Sequence, residues 1–267
     1  ENGIGFVVAD NARIQHDVLI APNAKGGVKH GQYAEVRITH WPTMNRQAQG
    51  EVIEVVGDYM APGMEIEVAL RSYDIPSEWP EAVAKEASRL KDHVVEKDKL
   101  KRVDLRHLPL VTIDGEDARD FDDALYCEPH KASGWRLFSG GWKLYVAIAD
   151  VSHYVPVGSA LDEEAELRGT SVYFPSEVIP MLPEALSNGL CSLNPHVDRL
   201  AMICEMTISK TGELTDFEFY EGVIHSHARL TYNKVSSMLE HPRSREGKAL
   251  RDEYNEVLPH LEHLYEL

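Results

Sequence analysis

The chain has 267 residues, of which 43% are hydrophobic and 27% are charged, a globular composition that excludes disordered, collagen-like and low-complexity proteins. Its 27 Lys and Arg against 44 Asp and Glu give a formal net charge of -17, which by itself argues against a nucleic-acid binder, since such proteins normally show a basic footprint. No apolar run approaches the roughly 18 residues of a membrane span, and no secretory signal is recognisable, so we expect no membrane partner. The three cysteines, Cys127, Cys191 and Cys204, are odd in number and far apart, which favours a reducing cytoplasm.

Residues 1–75 are predicted to form a small all-β domain. Short β-rich segments recur about every ten residues and are separated by Gly, Pro and Asn, a pattern typical of a small barrel or sandwich. The predicted strands are 5–8, 17–20, 33–38, 49–56 and 64–70.

A connector at 76–107 separates this domain from a second one at 108–267. The connector is predicted to contain one helix, at 81–90 after Pro80, and then a charged tract at 91–106 that has the composition of a linker. Strands mixed with helices beyond it indicate a mixed α/β (α+β) domain. Its predicted strands are 110–113, 143–149 and 200–208, and its predicted helices are 161–168, 232–239 and 248 to the end of the chain.

The segment 114–123 concentrates six carboxylates in ten residues, directly after an apolar strand. Neighbouring carboxylates raise each other's pKa, so such a run is tolerated either as a fully hydrated loop or around a cation. Three details favour the cation. The strand at 110–113 anchors Asp114 at a sheet end, Phe121 interrupts the acids, and the apolar pattern that resumes at Ala124 holds Asp122 and Asp123 near the core.

Rigidly held carboxylates are hard oxygen ligands of the kind that suits Mg²⁺, with Mn²⁺ as a second possibility. Four aspartates can hold one ion, or a pair about 4 Å apart as in phosphodiester displacement. Other aspartate motifs fit less well. An EF-hand loop counted from Asp120 would need Gly where Leu125 stands, and an aspartyl phosphatase would need Asp where Glu116 stands.

Four segments together resemble the ribonuclease II superfamily, and most closely its bacterial ribonuclease R family. The segment 110–124 is similar to that superfamily's signature, and 169–175, 178–183 and 186–195 are similar to further parts of its RNB catalytic domain. The resemblance covers nearly the whole chain. It implies a magnesium-dependent 3′-to-5′ exoribonuclease that degrades RNA processively to nucleoside 5′-monophosphates.

The resemblance also implies roles for individual residues. By position, Asp114, Asp120, Asp122 and Asp123 match the family's four catalytic-site aspartates, which would hold the metal, and Asp122 matches the one that is indispensable for cleavage. Tyr173 matches a tyrosine that packs against bases at the RNA 3′ end, and base stacking is worth about 1–3 kcal/mol per base. Without the resemblance, Tyr173 would be interpreted as an ordinary strand residue.

The N-terminal domain resembles a cold-shock domain, an OB-type barrel that binds RNA. The segment 3–8 is similar to an RNA-binding strand in which Phe6 stacks a base, and a packed core phenylalanine is the alternative. The family's first barrel strand would precede Glu1, so we expect an incomplete barrel. The catalytic domain is likewise expected to be truncated, because no counterpart of the family's arginine-rich motif or S1-type domain precedes Leu267.

Two functions therefore stay open at this stage: an exoribonuclease, or a catalytically incomplete RNA-binding fragment of one. We expect the 267 residues alone to be inactive and the complete protein to be an active monomer that takes a single-stranded RNA 3′ end. The net charge does not oppose this, because residues 1–60 carry only five basic and seven acidic residues, and the remaining 22 basic and 37 acidic residues lie beyond them. Elsewhere, His225 and His227 are a weak candidate for a zinc site. For Asp150, which ends an apolar strand, we expect a structural hydrogen-bonding role.

Overall fold

The computed structural model describes residues 3–130 and 140–267. It divides into two compact units, the first ending at Glu78 and the second running from Trp79 to Leu267.

The first unit is a small twisted sheet with a shallow core. In the described residues its strand order is β1-β2-β4-β3, in which β2 and β4 are parallel and the other pairs antiparallel. Three register shifts interrupt the long β3–β4 pair and increase its twist. Val18, Ile20 and Ala48 are the buried centre. The strands are β1 (Gly5–Val7), β2 (Val18–Ile20), β3 (Gln32–His40) and β4 (Gln49–Asp58).

The predicted strand at 64–70 is wrong, because this segment is helix α1 (Met64–Ser72). Its alternating apolar residues suggested a strand, but seven residues are too few to distinguish the two-residue period of a strand from the 3.6-residue period of a helix. Its Met, Glu, Ala and Leu residues all favour helix. The helix begins after Gly63, whose φ of 81° suits glycine. Arg71 in its last turn donates to Glu54 at 2.9 Å and to Glu35 at 3.2 Å, which fixes the helix to the sheet.

The second unit is built on a mixed sheet of seven described strands in the order β13-β6-β7-β8-β11-β12-β5. Its central strands β8 and β11 confirm the predictions at 143–149 and 200–208, and their nearly continuous apolar residues give the sheet two apolar faces. The strands are β5 (Val103–Asp104), β6 (Val111–Asp114), β7 (Asp123–His130), β8 (Gly141–Ala149), β11 (Asp198–Ser209), β12 (Leu214–His225) and β13 (Ala228–Thr231), with a separate hairpin of β9 (Val172–Tyr173) and β10 (Val178–Ile179).

Helices cover one face of this sheet and part of the other. The main core, which includes Leu110, Ala147 and Ile203, lies under α2, α5 and a π-helical turn at Ala185–Leu190. A second core around Val111 and Leu230 lies under α6, α7 and α8. The helices are α2 (Glu81–Ala87), α3 (Glu96–Lys99), α4 (Val151–Tyr154), α5 (Ala160–Arg168), α6 (Tyr232–Leu239), α7 (Arg245–Glu253) and α8 (Leu258–Glu266).

The tract at 91–106 is not a linker. It contains helix α3 and strand β5, so the predicted connector holds two helices rather than one, and β5 pairs in parallel with β12 at Val103 and Gly222. Leu105 is buried in the main core. Charge alone suggested a solvated segment, but three of its basic side chains pair with acids further along the chain: Lys99 with Asp198 at 2.7 Å, Arg102 with Asp150 at 2.6 Å and Arg106 with Asp198 at 3.0 Å.

The predicted helix from 248 to the chain end is two helices, α7 and α8. Pro259 in the first turn of α8 explains the break, because proline is tolerated there but would disrupt the interior of one continuous helix. The predictions at 161–168 and 232–239 are confirmed as α5 and α6.

Part of the second sheet face has no cover among the described residues. Ile148, Met202, Phe217 and Phe219 lie on β8, β11 and β12 and are exposed, although their strands are otherwise well paired. No described helix is long and apolar enough to cross a membrane. The three cysteines are free thiols.

Candidate active site

The aspartate segment lies at one end of the second sheet, where β6 leaves and β7 returns. Asp114 is the last residue of β6 and Asp123 is the first of β7, and these strands are antiparallel neighbours. Asp120 and Asp122 lie in the loop between them. The sheet therefore brings both ends of the acidic run to the same sheet edge. This agrees with the prediction that the strand before Asp114 anchors it at a sheet end.

The pKa values of the aspartates show that their carboxylates act on one another. Burial raises the pKa of Asp122, and the negative charges of Asp120, Asp123 and Asp114 raise it further. Burial and the charge of Asp114 likewise raise the pKa of Asp123. These charge interactions place the four predicted aspartates near one another, and the cluster carries an electrostatic cost in the absence of a cation.

The donor set fits a hard divalent cation. Within the described residues no ion pair joins a Lys, Arg or His to any of the four aspartates, so their charge is uncompensated by the protein. The same residues hold no group of three or more His, Cys, Asp or Glu side chains already at metal-ligand spacing. That is compatible with Mg²⁺, which typically takes one or two protein carboxylates and completes its shell with waters and substrate phosphate oxygens.

The backbone of the aspartate loop is fixed by residues distant in sequence. The Phe121 N–H donates to the hydroxyl of Ser192 at 3.1 Å, and the Leu193 N–H donates to the Phe121 carbonyl at 2.8 Å. The Ala149 N–H donates to the Asp122 carbonyl at 2.8 Å. Phe121 is only 2% exposed, so it anchors the loop in the unit's interior between Asp120 and Asp122.

Two contributors to this loop were missed by sequence reasoning: Ser192 and Arg229. Ser192 lies inside the family-like segment 186–195, but nothing local marks its hydroxyl as the partner of a backbone N–H far earlier in the chain. Arg229 donates to the Ala118 carbonyl at 2.7 Å and stacks on the Phe121 ring. An isolated arginine in a strand carries no sequence signal for such contacts.

Tyr173 lies beside the aspartates. It is in β9, its side chain is 65% exposed, and its hydroxyl donates to Asp120 at 3.4 Å. Burial and the charge of Asp120 raise the pKa of Tyr173. An accessible ring next to a carboxylate is available for stacking, which an ordinary packed strand residue is not.

Phe6 lies in β1 of the first unit, and its side chain is 59% exposed. The alternative of a packed core phenylalanine is therefore wrong. The ring borders an apolar groove of about 820 Å³ that is also lined by Tyr33, Trp41 and Tyr59. Exposed aromatics around a groove are what base stacking requires.

The other candidates have local structural partners. Asp150 is buried and accepts a hydrogen bond from Arg102 at 2.6 Å, which is the structural role the sequence favoured. The His225 ring is 3.2 Å from Asp198, and the His227 ring is 3.0 Å from the His225 carbonyl. These contacts account for both imidazoles without a zinc ion.

Two family models match the chain, and together they span nearly all of it. The cold shock domain matches residues 6–80, and the RNB domain matches residues 102–267. The chain belongs to the RNB-domain family. The predicted fold class, an OB-type cold-shock barrel followed by a mixed α/β RNB domain, is thereby confirmed.

Individual relatives of this RNB-domain chain agree with the family match. It is 54% identical over 267 residues to ribonuclease R of Vibrio cholerae, an alignment that covers 100% of the chain and 31% of the relative. The chain thus spans about a third of the length of this curated relative. The resemblance to the ribonuclease II superfamily, and to ribonuclease R within it, is confirmed.

Solved structures show the same architecture. Mycoplasma genitalium RNase R in complex with double-stranded RNA superposes with a TM-score of 0.80 at 30% identity, covering 90% of this RNB-domain chain and 43% of that chain. Yeast Ssd1, a pseudonuclease, superposes with a TM-score of 0.66 at 17% identity, covering 92% of this chain and 31% of that one. The second match shows a shared fold alone.

Proposed function

We propose that this chain is part of a magnesium-dependent 3′-to-5′ exoribonuclease that degrades single-stranded RNA processively to nucleoside 5′-monophosphates. The observation that carries the proposal is the aspartate cluster, in which Asp114, Asp120, Asp122 and Asp123 meet at one sheet end without a compensating cation among the described side chains. The family supports the reaction class. We further propose that the protein works as a monomer in the cytoplasm.

Asp114, Asp120 and Asp123 are the residues that would hold Mg²⁺, and Mn²⁺ would fit the same oxygens. When bound, the ion supplies positive charge to the scissile phosphate and to the leaving 3′ oxygen. Asp122 would position either a metal ion or the attacking water. In the hydrolysis, the water oxygen bonds to phosphorus as the bond to the 3′ oxygen breaks, and that oxygen leaves protonated.

Binding of RNA is assigned to aromatic side chains in the two units. Tyr173 would stack on the terminal bases close to the aspartates, and Phe6 would stack on a base at the first unit. Stacking tolerates any base, as a processive nuclease requires. RNase R of Mycoplasma genitalium was solved with bound RNA, which supports RNA as the partner.

A catalytically incomplete RNA-binding fragment is the second candidate. The chain covers only 31% of its V. cholerae relative, so the activity of the whole protein is a proposal. Labelled single-stranded RNA with Mg²⁺ separates the two candidates. Release of monophosphates indicates the enzyme, and a shifted band without products indicates the binding fragment.

The test of the proposed function is the Asp122→Asn variant of the longest available form of the protein. We expect RNA binding in a gel-shift assay to persist and monophosphate release to fall about 100-fold or more. Asp252→Asn is the matched control, because Asp252 is an exposed acid in α7, outside the aspartate loop. Near-normal release by the Asp122 variant, or an equal loss in the control, would contradict the assignment.

A further inference from the structure

Arg229 projects from β13 onto the aspartate loop and makes two contacts with it. A terminal nitrogen of its guanidinium donates to the Ala118 carbonyl at 2.7 Å. The guanidinium carbon also lies 4.1 Å from the centre of the Phe121 ring, within the range of a cation–π contact. Both contacts cross more than 100 residues of sequence and hold positions inside the acidic run.

The two contact points bracket the aspartates that lie in the loop. Ala118 precedes Asp120 by two residues, and Phe121 stands between Asp120 and Asp122. On its other side, Phe121 is fixed by the backbone bonds to Ser192 and Leu193. The loop is therefore held by the hydrogen bonds of Phe121 to Ser192 and Leu193 and by the guanidinium of Arg229 stacked on the Phe121 ring.

A second tether comes from the same part of the chain. The Asn233 side chain, in α6, donates to the Glu116 carboxylate at 2.9 Å. Strand β13 itself runs parallel to β6, with Thr231 in register with Asp114. Contacts from this strand and the helix after it thus reach the loop at its start and middle.

We infer that Arg229 is a positioning residue that holds Asp120, as a ligand of the proposed divalent cation, at a set distance from Asp122. The inference rests on the proposed function. Arginine is required because its planar fork stacks on a ring and donates to a carbonyl at the same time, whereas the compact lysine ammonium cannot do both with this geometry. Arg229 donates to a backbone carbonyl rather than to a carboxylate, so the aspartate oxygens are left for the ion.

The sign of the effect on cation binding separates positioning from simple charge. If Arg229 acted only as a nearby positive charge, its removal would strengthen binding of a divalent cation by relieving repulsion. If it positions the loop, its removal weakens binding despite the lost repulsion. A lysine at 229 keeps the charge and loses the stacked geometry, so it also weakens binding only under the positioning role.

The first test measures Mn²⁺ binding from the free-ion electron paramagnetic resonance signal, for the wild-type chain, Arg229→Gln and Arg229→Lys. We expect both variants to raise the dissociation constant about tenfold, the loss usual for residues that orient metal ligands. Arg251→Gln is the matched control, because Arg251 also donates to a backbone carbonyl, that of Met238 at 3.0 Å, but lies in α7. It should keep the wild-type constant.

The second test needs no metal. Hydrogen exchange at the Phe121 amide reports whether the loop is held against Ser192, and we expect at least tenfold faster exchange in both Arg229 variants than in the Arg251 control. Unchanged exchange, or unchanged or tighter Mn²⁺ binding, would overturn the inference. Wild-type chain that binds no Mn²⁺, or binds it equally after Asp120→Asn, would overturn the proposed function and with it the role of Arg229 toward a cation. Faster exchange alone would then mark Arg229 as purely structural, so the two failures are distinguishable.

Discussion

The hydroxyl of Ser192 accepts a hydrogen bond from the backbone N–H of Phe121 at 3.1 Å, although the two residues are 71 positions apart. Both residues are buried. The bond joins the aspartate loop to the segment after the π-helical turn, and Arg199 holds that segment by donating to the Ser192 carbonyl at 2.8 Å. The position of Asp120 and Asp122 thus depends on a residue that carries no charge.

Ser192→Ala should destabilise the chain by about 1–3 kcal/mol, because it leaves a buried N–H without an acceptor. Urea denaturation followed by circular dichroism measures the loss. Ser236→Ala is the control, since the Ser236 hydroxyl donates only to exposed Glu240 and its removal should change stability by less than about 0.5 kcal/mol. Equal losses of stability in the two variants would show that the buried hydrogen bond from Phe121 to Ser192 contributes no more than the exposed one.

Asp150→Ala should cost about 3–5 kcal/mol, because it removes the buried partner of the Arg102 guanidinium at 2.6 Å and leaves that charge the more distant Glu221 at 3.9 Å. The melting temperature of the variant reports the loss. Glu262→Gln removes an exposed partner of Arg251 at 2.7 Å and should cost no more than about 1 kcal/mol. A small effect at Asp150 would mean that Arg102 is hydrated in solution.

The acid stability of the second unit should depend on Asp198. Burial acts to raise the pKa of Asp198, but hydrogen bonds from Lys99 and His225 outweigh it, and the pKa lies below its ordinary value of 3.8. A carboxyl whose pKa is lowered by folding stabilises the fold above its unfolded pKa, and this contribution disappears as the pH falls through the folded pKa. Its loss therefore begins near pH 4 and grows toward lower pH.

Asp198→Asn should lower the urea midpoint at pH 7 and flatten its decline below about pH 4. Urea titrations from pH 7 down to pH 3 measure both effects. Asp252→Asn is the control, because Asp252 has no ion pair among the described residues, and it should follow the wild-type curve. A variant with the full wild-type acid dependence would rule out this origin.

Replacement of Tyr173 should separate its ring from its hydroxyl. Tyr173→Ala should weaken binding of single-stranded RNA by about 1–3 kcal/mol through loss of stacking. Tyr173→Phe keeps the ring and removes only the bond to Asp120 at 3.4 Å, so its affinity should stay near wild type. Fluorescence anisotropy with labelled oligonucleotides measures both, and an equal loss in the two variants would assign the effect to the hydroxyl instead.

The exposed sheet face should bind apolar dyes. Changing Phe217 and Phe219 together to Ser should reduce fluorescence of anilinonaphthalene sulfonate, because both rings are exposed and lie 5.7 Å apart on β12. Val157→Ser is the control, since Val157 is an exposed apolar residue outside this strand. Undiminished dye binding by the double variant would place the apolar surface elsewhere.

Most of the secondary structure followed from local patterns. The long strand β11 was predicted from its run of apolar residues. Its neighbour β12 was not predicted, because its first six residues are all exposed and show no alternation of buried and exposed positions. The helix α1 was mistaken for a strand because its short run of alternating apolar residues fits the period of a strand as well as that of a helix. Charge misled at 91–106, because Lys99 and Arg106 also pair with Asp198, an acid more than 90 residues further along the chain.

The sequence by itself determined the family and the concentration of carboxylates between Asp114 and Asp123, because both are written in contiguous segments. It also placed Tyr173 among the candidate residues through a family-like segment. Only the tertiary structure decided how the loop is held, through Ser192, Leu193 and Arg229, and that Asp150 pairs with Arg102. Hydrogen bonds and stacking act over a few ångströms in space. Folding brings together partners that lie far apart along the chain, and no local sequence pattern marks such pairs.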